Sequence, residues 1–340
     1  MNDNLEIIKR RKLSLSGVGK YLPKKVILAQ DIYDRLGKKD EKNKLNISHR
    51  YFANVDETTS FMATEAAQEA LRDANLAVEE LDCIIGACGV MEQSIPGTSV
   101  LVQTRLGLEN SGITTFDINT TCLSFLSALD IASYMIEASR FKNVLIFSSD
   151  IPSLGLDWNN AENCVIFGDG AAAAIFSKAS NNKEIKIISS HMETYSKGSD
   201  YCRVRAGGTL LHPTQFKGDL LEHALFEMNG KMAYKLTAEI IQDFIRKLFS
   251  KTDLQLSDID LVIPHQASSL ALHHLRKELH IPQEKLIDIF STHGNQVAAS
   301  IPTALYEAVN LGKIKRGDKI LMIGTGAGIA LGGIILEYNQ

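Results

Sequence analysis

The sequence predicts an α/β fold in which one layered unit is used twice. Short apolar segments with β character alternate with amphipathic helical segments, a pattern typical of βα units and of buried, largely parallel sheets. The order of these segments in residues 1–180 recurs in residues 181–340. In both halves an apolar strand, at 144–147 and at 320–323, follows a helix and a short basic connector. We therefore expect two similar halves, 1–180 and 181–340, with mixed, largely parallel sheets.

Composition describes an ordinary globular protein. The chain has 340 residues, of which 45% are hydrophobic and 22% charged, enough for a large core and one large or two medium domains. The net charge of −4 gives no electrostatic case for nucleic-acid binding. The first dozen residues lack the apolar core of a signal peptide, and no apolar stretch approaches the ~20 residues of a membrane span. We expect a cytoplasmic protein without membrane insertion.

Two stretches depart from the repeat. Residues 27–50 contain a charged run without apolar periodicity, which indicates a surface excursion or a mobile cap. Residues 195–222 are rich in glycine, and an irregular segment of that length often forms a lid or a substrate-channel wall.

The five cysteines show neither CxxC nor Cys/His pair spacing. This argues against a disulfide framework and a structural zinc site, so we expect no metal. Cys122 differs from the others because a helical apolar pattern of about 18 residues begins directly after it. A helix N-terminus favours a thiolate, although an unpaired cysteine is more often a small buried apolar residue. We interpret the remaining four as structural or incidental: Cys83, Cys88, Cys164 and Cys202.

The repeat predicts which residues meet Cys122. Sites in parallel α/β layers form at the carboxyl ends of strands. His265 follows the predicted strand 260–264, and Asn295 precedes the helix of the second half that corresponds to the Cys122 helix. We expect a pseudo-twofold arrangement to bring Cys122, His265 and Asn295 together.

The glycine-rich runs favour no nucleotide cofactor. The run at 324–328 does not open a helix inside a βαβ unit, and the run at 167–171 has no P-loop lysine. A GxSxG motif is also absent, which excludes the usual serine-hydrolase elbow.

Several motifs occur in an order that one enzyme family shares. They are GVGKYLPKKVI, DETTSFMATEAAQEAL after Arg50, NTTCLSF, VIFGDGAAAAIF, FEMNGKMAYK, PHQAS, HGNQVAAS and GTGAGIALGG. In this order they resemble β-ketoacyl-ACP synthase III, an initiating condensing enzyme of fatty-acid synthesis within the thiolase superfamily. The resemblance covers nearly the whole chain and implies a thiolase-like fold with duplicated α-β-α-β-α layers.

The resemblance also implies an acyltransferase that performs a decarboxylative Claisen condensation. Cys122 would take the acyl group of an acyl-CoA or acyl-ACP primer. His265 and Asn295 would then hydrogen-bond the thioester oxygen of a malonyl extender while decarboxylation generates an enolate. Attack of this enolate on the acyl-Cys122 carbonyl would give a β-ketoacyl thioester.

The family implies an oxyanion hole made of backbone N–H groups. One belongs to Cys122 and the other to the loop Gly326, Ala327 and Gly328, in which Ala327 replaces a glycine and could strain the backbone. The chemistry requires no cofactor beyond its thioester substrates.

Substrate recognition departs from the family pattern. Leu270 stands where an arginine normally docks the carrier protein, and Leu154 stands where an arginine contacts CoA. Residues 36–46 lack the tryptophan that stacks on the CoA adenine. These departures indicate a divergent member in which the chemistry is kept and thioester recognition has changed.

The family is homodimeric, which we expect here through pairing of strand 114–119 across a twofold axis. Ile95 lies in the segment that reaches into the partner subunit's acyl pocket, where a residue smaller than an aromatic permits a longer or branched acyl group. Related head-to-head Claisen enzymes place a glutamate from this segment in the partner's active site. Ile95 argues against that mechanism here, whereas the nearby Glu92 keeps it open.

Two alternatives remain open. One is acyl transfer from Cys122 to an oxygen, nitrogen or sulfur acceptor. The other is a non-catalytic subunit of a heteromeric condensing enzyme. The sequence leaves open the acyl donor, the extender, the choice between ACP and CoA, and the pathway.

Overall fold

The structure, a computed structural model, describes residues 11–37, 47–179 and 184–340. The charged run predicted as a surface excursion, and the stretch searched for a CoA-stacking tryptophan, lie largely in residues 38–46, outside the described residues. In the parts of the chain that are described, no helix combines the length and the apolar character needed to cross a membrane.

The strands follow the predicted apolar segments. In chain order they are β1 (Arg11–Tyr21), β2 (Lys25–Leu28), β3 (His49–Phe52), β4 (Cys83–Gly86), β5 (Thr114–Asp117), β6 (Asn143–Asp150), β7 (Gly170–Lys178), β8 (Ile185–Thr194), β9 (Cys202–Arg203), β10 (Glu227–Met228), β11 (Leu261–Pro264), β12 (Lys319–Gly326) and β13 (Ala330–Tyr338).

The α-helices follow the amphipathic segments between these strands. They are α1 (Ala29–Arg35), α2 (Thr59–Ala74), α3 (Thr98–Arg105), α4 (Ser124–Glu137), α5 (Ala161–Cys164), α6 (Leu221–Ala224), α7 (Gly230–Phe249), α8 (Ser269–Glu278), α9 (Phe290–His293) and α10 (Ser300–Asn310).

One nine-stranded sheet runs through the molecule in the order β11-β12-β13-β8-β1-β7-β6-β4-β5. Its two sides have the same plan, because β1-β7-β6-β4 on one side matches β8-β13-β12-β11 on the other. The two sides join where residues 11–13 of β1 pair with residues 185–187 of β8. A parallel bridge between Val262 and Leu286 stands where the second side would have a counterpart of β5. The repeated order of elements is thus visible in the strand order.

We expected most neighbouring strands to be parallel, and this proportion was wrong. Among the described strands of this sheet, three neighbouring pairs are parallel, namely β4 with β5, β4 with β6, and β11 with β12. Five pairs are antiparallel. Only three residues separate β12 from β13, and a connection that short can join only antiparallel strands. The sheet is mixed, as expected, with its parallel pairs at the two outer ends.

The two sides of the sheet form two strand layers, and helices lie between these layers and on both outer faces, which makes five layers. Successive side chains of a strand point to opposite faces. On β6, Val144 and Ile146 pack in the central core that also holds α4 and α10, whereas Leu145 and Phe147 pack with α2 on the outer face. On the other side, α7 packs against β8 and β13 and closes the third core. The helix that follows Cys122 therefore lies buried between the two halves.

Candidate active site

Cys122, His265 and Asn295 line one cavity of about 1650 Å³. Each lies just beyond a strand or at the start of a helix. The structure therefore brings the three residues together, as their placement in the repeat predicted. Their catalytic roles remain predictions.

The Cys122 turn, residues 119–122, has an unusual backbone. Thr121 adopts a left-handed conformation, with φ of 53°. The side-chain oxygen of Asn119 accepts a hydrogen bond from the Thr121 N–H at 2.9 Å, and the Thr120 N–H donates to Ser124 Oγ at 3.0 Å. A 3-10 turn over Thr121–Leu123 then leads into α4. These bonds fix the backbone that presents the thiol.

The Asn295 turn, residues 295–298, repeats this arrangement in the second half. Val297 has φ of 52°, and its N–H donates to the side-chain oxygen of Asn295 at 2.9 Å. The Gln296 N–H donates to Ser300 Oγ at 2.9 Å, and a 3-10 turn leads into α10. The pseudo-twofold relation thus extends to single hydrogen bonds.

The Asn295 amide is oriented as a donor. Because its oxygen is engaged by Val297, the NH₂ group points away from that turn, and one of its hydrogens reaches the Ala267 carbonyl at 3.3 Å. An amide nitrogen carries two donors, so the second can serve a substrate oxygen. The backbone N–H of Asn295 donates to the Ile166 carbonyl at 2.7 Å, which holds the residue against the first half.

His265 follows β11 and is only 6% exposed. The backbone N–H of His265 donates to the Ile323 carbonyl at 2.8 Å. The ring atom Nδ1 has no hydrogen-bond partner among the described residues. Burial lowers the pKa of His265 to about 4, so the imidazole is neutral near pH 7. The next residue, Gln266, is fully buried and hydrogen-bonds the Pro264 and Ile287 carbonyls. The site therefore holds a neutral histidine on a fixed backbone.

Two glycines of β12 allow the close packing of this site. A Cβ on Gly324 would lie 2.7 Å from the Cβ of His265, and a Cβ on Gly326 would lie 2.7 Å from Thr121 Oγ1. Atoms at such distances cannot coexist without a backbone shift. The glycine run at 324–328, which does not fit a nucleotide-binding loop, thus lets β12 pack against both His265 and the Cys122 turn.

The contribution of the helix N-terminus that was expected to favour a thiolate is outweighed in the free protein. Desolvation and the nearby Asp150 carboxylate raise the pKa of Cys122 to about 12. The backbone N–H groups of Cys122 and Ala327 interact with the sulfur and oppose this rise in pKa, but they do not overcome it. The left-handed φ of 135° in the adjoining loop falls on Gly328, so the alanine at 327 does not take up that strained angle.

Alkylation of Cys122 by iodoacetamide is expected to be slow at neutral pH. Because only the thiolate reacts, the rate constant should rise about tenfold per pH unit up to at least about pH 10. Peptide mass spectrometry at a series of pH values measures this rate for Cys122 alone. A small-molecule thiol serves as control, since its rate levels off near its own pKa. A plateau for Cys122 below pH 8 would contradict the raised pKa.

The cavity rim carries apolar residues where the family pattern has arginines. Leu154 and Leu270 line the cavity and are 81% and 60% exposed. Ser268 accepts a hydrogen bond from the Ala271 N–H at 3.0 Å and so caps α8. Ile95 is 86% exposed and is not among the residues that line the cavity.

Part of the irregular segment 195–222 forms a wall of the cavity, at residues 202–204 and 206–208. Cys202, which we interpreted as structural or incidental, lies in this wall and interacts electrostatically with Cys122. Within the described ranges, no group of three or more histidine, cysteine, aspartate or glutamate side chains could hold a metal ion.

Sequence reasoning missed Asp150, which ends β6 and is 1% exposed. Burial raises its pKa to about 7. The available signal was a carboxylate soon after the apolar run 144–147, at the end of a buried strand, a placement that is costly unless the group is hydrogen-bonded.

Comparison with known proteins gives consistent matches. The family model of 3-oxoacyl-[acyl-carrier-protein] synthase III matches residues 116–196, and the model of its C-terminal region matches residues 249–338. The β-ketoacyl-[acyl-carrier-protein] synthase III of Aquifex aeolicus is 36% identical over 324 residues, which cover 95% of this chain and 98% of that protein. The corresponding Clostridium perfringens protein is 33% identical over 329 residues, covering 96% and 99%.

Solved structures agree with this relation. The crystal structure of 3-oxoacyl-[acyl-carrier-protein] synthase III from Aquifex aeolicus superposes with a TM-score of 0.85 at 34% identity, covering 96% of this chain and all of that one. A variant of Xanthomonas campestris OleA superposes with a TM-score of 0.84 at 22% identity, covering 96% of both chains, which shows a shared fold alone. With its thiolase-like layers and its relatives matched over nearly their full length, this chain belongs to the β-ketoacyl-[acyl-carrier-protein] synthase III family.

Proposed function

We propose that this protein condenses an acyl thioester primer with a malonyl thioester, with loss of carbon dioxide, through an acyl-Cys122 intermediate. The observation that carries this proposal is the convergence of a thiol, a neutral buried histidine and a donor-oriented asparagine in one cavity. Family membership supports the same reaction.

In the first half-reaction, Cys122 Sγ attacks the primer carbonyl. The carbonyl oxygen becomes an oxyanion, and the N–H groups of Cys122 and Ala327, which already interact with the sulfur, are placed to stabilise it. The new carbon–sulfur bond gives a tetrahedral intermediate. Its collapse breaks the primer's carbon–sulfur bond, and the departing thiolate takes up the proton that Cys122 loses. The raised pKa of Cys122 means that the proton must leave when the primer binds and the oxyanion forms, because little thiolate exists beforehand.

In the second half-reaction, the malonyl thioester oxygen accepts hydrogen bonds from His265 and Asn295. A neutral imidazole donates one hydrogen bond, and the amide of Asn295 has a hydrogen that Ala267 does not use. The carbon–carbon bond to the carboxylate breaks, carbon dioxide leaves, and the electron pair forms an enolate. Its carbon attacks the acyl-Cys122 carbonyl and expels the Cys122 thiolate, which is then reprotonated. No cofactor is needed for these steps.

The rim supports altered thioester recognition. Leu154 and Leu270 offer apolar contact where an arginine would bind phosphate or an acidic carrier. We expect either acyl carrier protein or CoA to deliver the substrates, with a smaller electrostatic contribution than charged rim residues would give. The apolar wall of the large cavity supports a long or branched acyl group.

A homodimer of a cytoplasmic enzyme completes the proposal. β5 is the edge strand of the nine-stranded sheet, and an edge strand presents unpaired backbone groups to another chain. Val90, Met91 and Ile95 are large apolar side chains that are more than half exposed near this edge segment. Pairing of β5 would direct the Ile95 segment toward the partner's acyl pocket.

Glu92 has a different role in the described fold. Its carboxylate accepts a hydrogen bond from the Ser60 N–H at the start of α2, and Arg105 contacts the Ser60 hydroxyl. A carboxylate at a helix N-terminus is stabilised there. This engagement argues against a head-to-head Claisen mechanism that uses Glu92 as a base.

Intact-mass measurement tests the proposed function directly. The protein is incubated with a panel of acyl-CoA and acyl-ACP thioesters, and malonyl-CoA or malonyl-ACP is then added. We expect a mass increase of one acyl group on Cys122, followed by its discharge with release of carbon dioxide and a β-ketoacyl product. Discharge only by a non-malonyl acceptor would establish acyl transfer to a heteroatom. No acylation across the panel would favour a non-catalytic subunit.

A further inference from the structure

The Asp150 carboxylate binds backbone N–H groups from both halves of the molecule. Its Oδ1 accepts hydrogen bonds from Gly89 and Val90, both at 2.9 Å, and its Oδ2 accepts one from Ala298 at 3.0 Å. Gly89 and Val90 follow β4, whereas Ala298 lies in the 3-10 turn directly before α10. One buried side chain thus joins segments that are more than 200 residues apart in the chain.

Each of these segments leads to a proposed catalytic residue. The Gly89 carbonyl accepts a hydrogen bond from Asn119 Nδ2 at 3.1 Å, and Asn119 also holds the Thr121 N–H next to Cys122. On the other side, Ala298 belongs to the Asn295 turn. The hydrogen bonds therefore run without interruption from the Asn295 turn, through Asp150, to the Cys122 turn.

The packing around this link is tight. A Cβ on Gly89 would lie 2.4 Å from Val297 Cγ1 and 3.3 Å from Asp150 Oδ1. The Cys88 carbonyl accepts a hydrogen bond from Ser124 Oγ at 3.1 Å, which ties the same segment to the start of α4. A movement of Gly89 would therefore be transmitted to both turns.

We propose that Asp150 is a positioning residue, which fixes the Cys122 turn relative to the Asn295 turn. The role in condensation rests on the proposed function, whereas the effect of its charge on the thiol does not. Condensation requires the acyl group on Cys122 and the enolate held by Asn295 to meet at bonding distance, so an error in the spacing of the two turns should slow that step most.

The charge and the hydrogen bonds have separate consequences. The carboxylate raises the pKa of Cys122 and of Cys88, and in both cases it is the second-largest cause, after desolvation. Its own pKa is also raised, to about 7, so about half of the molecules carry the negative charge at pH 7. The other titratable groups that act on these two thiols are Cys202, Asp117 and Glu92.

Asp150→Asn separates these consequences from simple structural damage. The amide oxygen can still accept from Gly89 and Val90, but its NH₂ group faces the Ala298 N–H, so the link to the Asn295 turn breaks and the charge disappears. We expect the rate constant for alkylation of Cys122 between about pH 8 and 10 to rise about tenfold, which corresponds to a pKa lower by about one unit. We also expect kcat for condensation to fall by about 10- to 100-fold. Because desolvation is the larger cause of the raised pKa, a loosened site would also make the thiol more acidic. The two effects are therefore assigned to Asp150 only if the melting temperature of Asp150→Asn stays close to that of the wild type.

Asp169→Asn is the matched control. Asp169 is equally buried, its pKa is raised to about 6, and it accepts hydrogen bonds from the Ala53 and Ser153 N–H groups. Its loss should leave the alkylation profile of Cys122 unchanged. Asp150→Ser, which has no charge and no NH₂ group to oppose Ala298, provides the same measurements if the amide variant does not fold.

The outcomes distinguish this inference from the proposed function. If wild-type Cys122 is acylated and discharged normally but Asp150→Asn leaves both the alkylation profile and kcat unchanged, Asp150 has no positioning role. A lower apparent pKa with unchanged kcat would refute the positional part. If the wild type is not acylated, the proposed function fails, and the alkylation profile still decides whether Asp150 acts on the thiol.

Discussion

Cys122→Ala is expected to abolish acylation and to reduce condensation by at least about 10⁴-fold, because the proposed acyl intermediate forms on this thiol. The thiol lies at the junction of the two N–H groups proposed as the oxyanion hole and lines the cavity. Alanine removes the sulfur without adding bulk beside Gly326, so the fold should persist. Intact mass after incubation with the primer thioester measures the adduct, and product formation measures condensation.

Cys202→Ala is the control for this experiment, because Cys202 lines the same cavity and is the thiol that interacts with Cys122. This variant should keep the full acyl adduct. An adduct that survives in Cys122→Ala and disappears in Cys202→Ala would show that the nucleophile had been assigned to the wrong cysteine.

Removing His265 or Asn295 should separate the two half-reactions. His265→Ala and Asn295→Ala should each reduce condensation by about 10²- to 10³-fold, the usual effect of losing one donor to a developing oxyanion. Acylation of Cys122 should continue, because both donors act on the extender. Single-turnover experiments can follow the acyl-enzyme by mass and decarboxylation by carbon dioxide release.

His274→Ala is the matched control, since His274 also lines the cavity but stacks on Tyr234 with ring centroids 4.6 Å apart. Condensation should change by no more than a few-fold in this variant. If His265→Ala instead blocked acylation and left decarboxylation intact, the imidazole would act on the primer and not on the extender.

The lowered pKa of His265 also fixes a pH dependence. The folded protein favours the neutral imidazole, so between the unfolded pKa near 6.5 and the folded pKa of about 4 the unfolded chain binds the proton more readily. The stability contributed by this residue is therefore present above about pH 6.5 and is lost as the pH falls toward 4. Between about pH 6 and 8, titration of this imidazole should cause no change in the condensation rate with pH.

The meeting of the three proposed catalytic residues was predictable because the sequence repeats its order of elements. Cys122 and Asn295 precede corresponding helices, and His265 follows a buried strand, so strand-end placement alone put them at one edge. The equivalent left-handed angles at Thr121 and Val297 were not predictable, because both residues ordinarily avoid that region.

Strand direction and thiol acidity were predicted less well. Continuous apolar strands are buried on both faces whether their neighbours are parallel or antiparallel, so composition could not give the proportion of each. Helix position suggested a low pKa for Cys122, but desolvation depends on how both halves close around the thiol. Asp150 escaped notice for a similar reason, since its N–H partners lie 60 to 148 residues away in the chain.

The strand order also constrains how the chain can fold during synthesis. β1 pairs with β7, more than 140 residues later, and with β8. Leu15 on β1 hydrogen-bonds the Gln340 side chain, 325 residues away. Strand pairs whose residues lie so far apart in the chain form slowly, and the apolar strands stay exposed until they pair. A ribosome-bound chain that has emerged only as far as β6 would still lack the partners of β1, which makes this strand a natural client for chaperones.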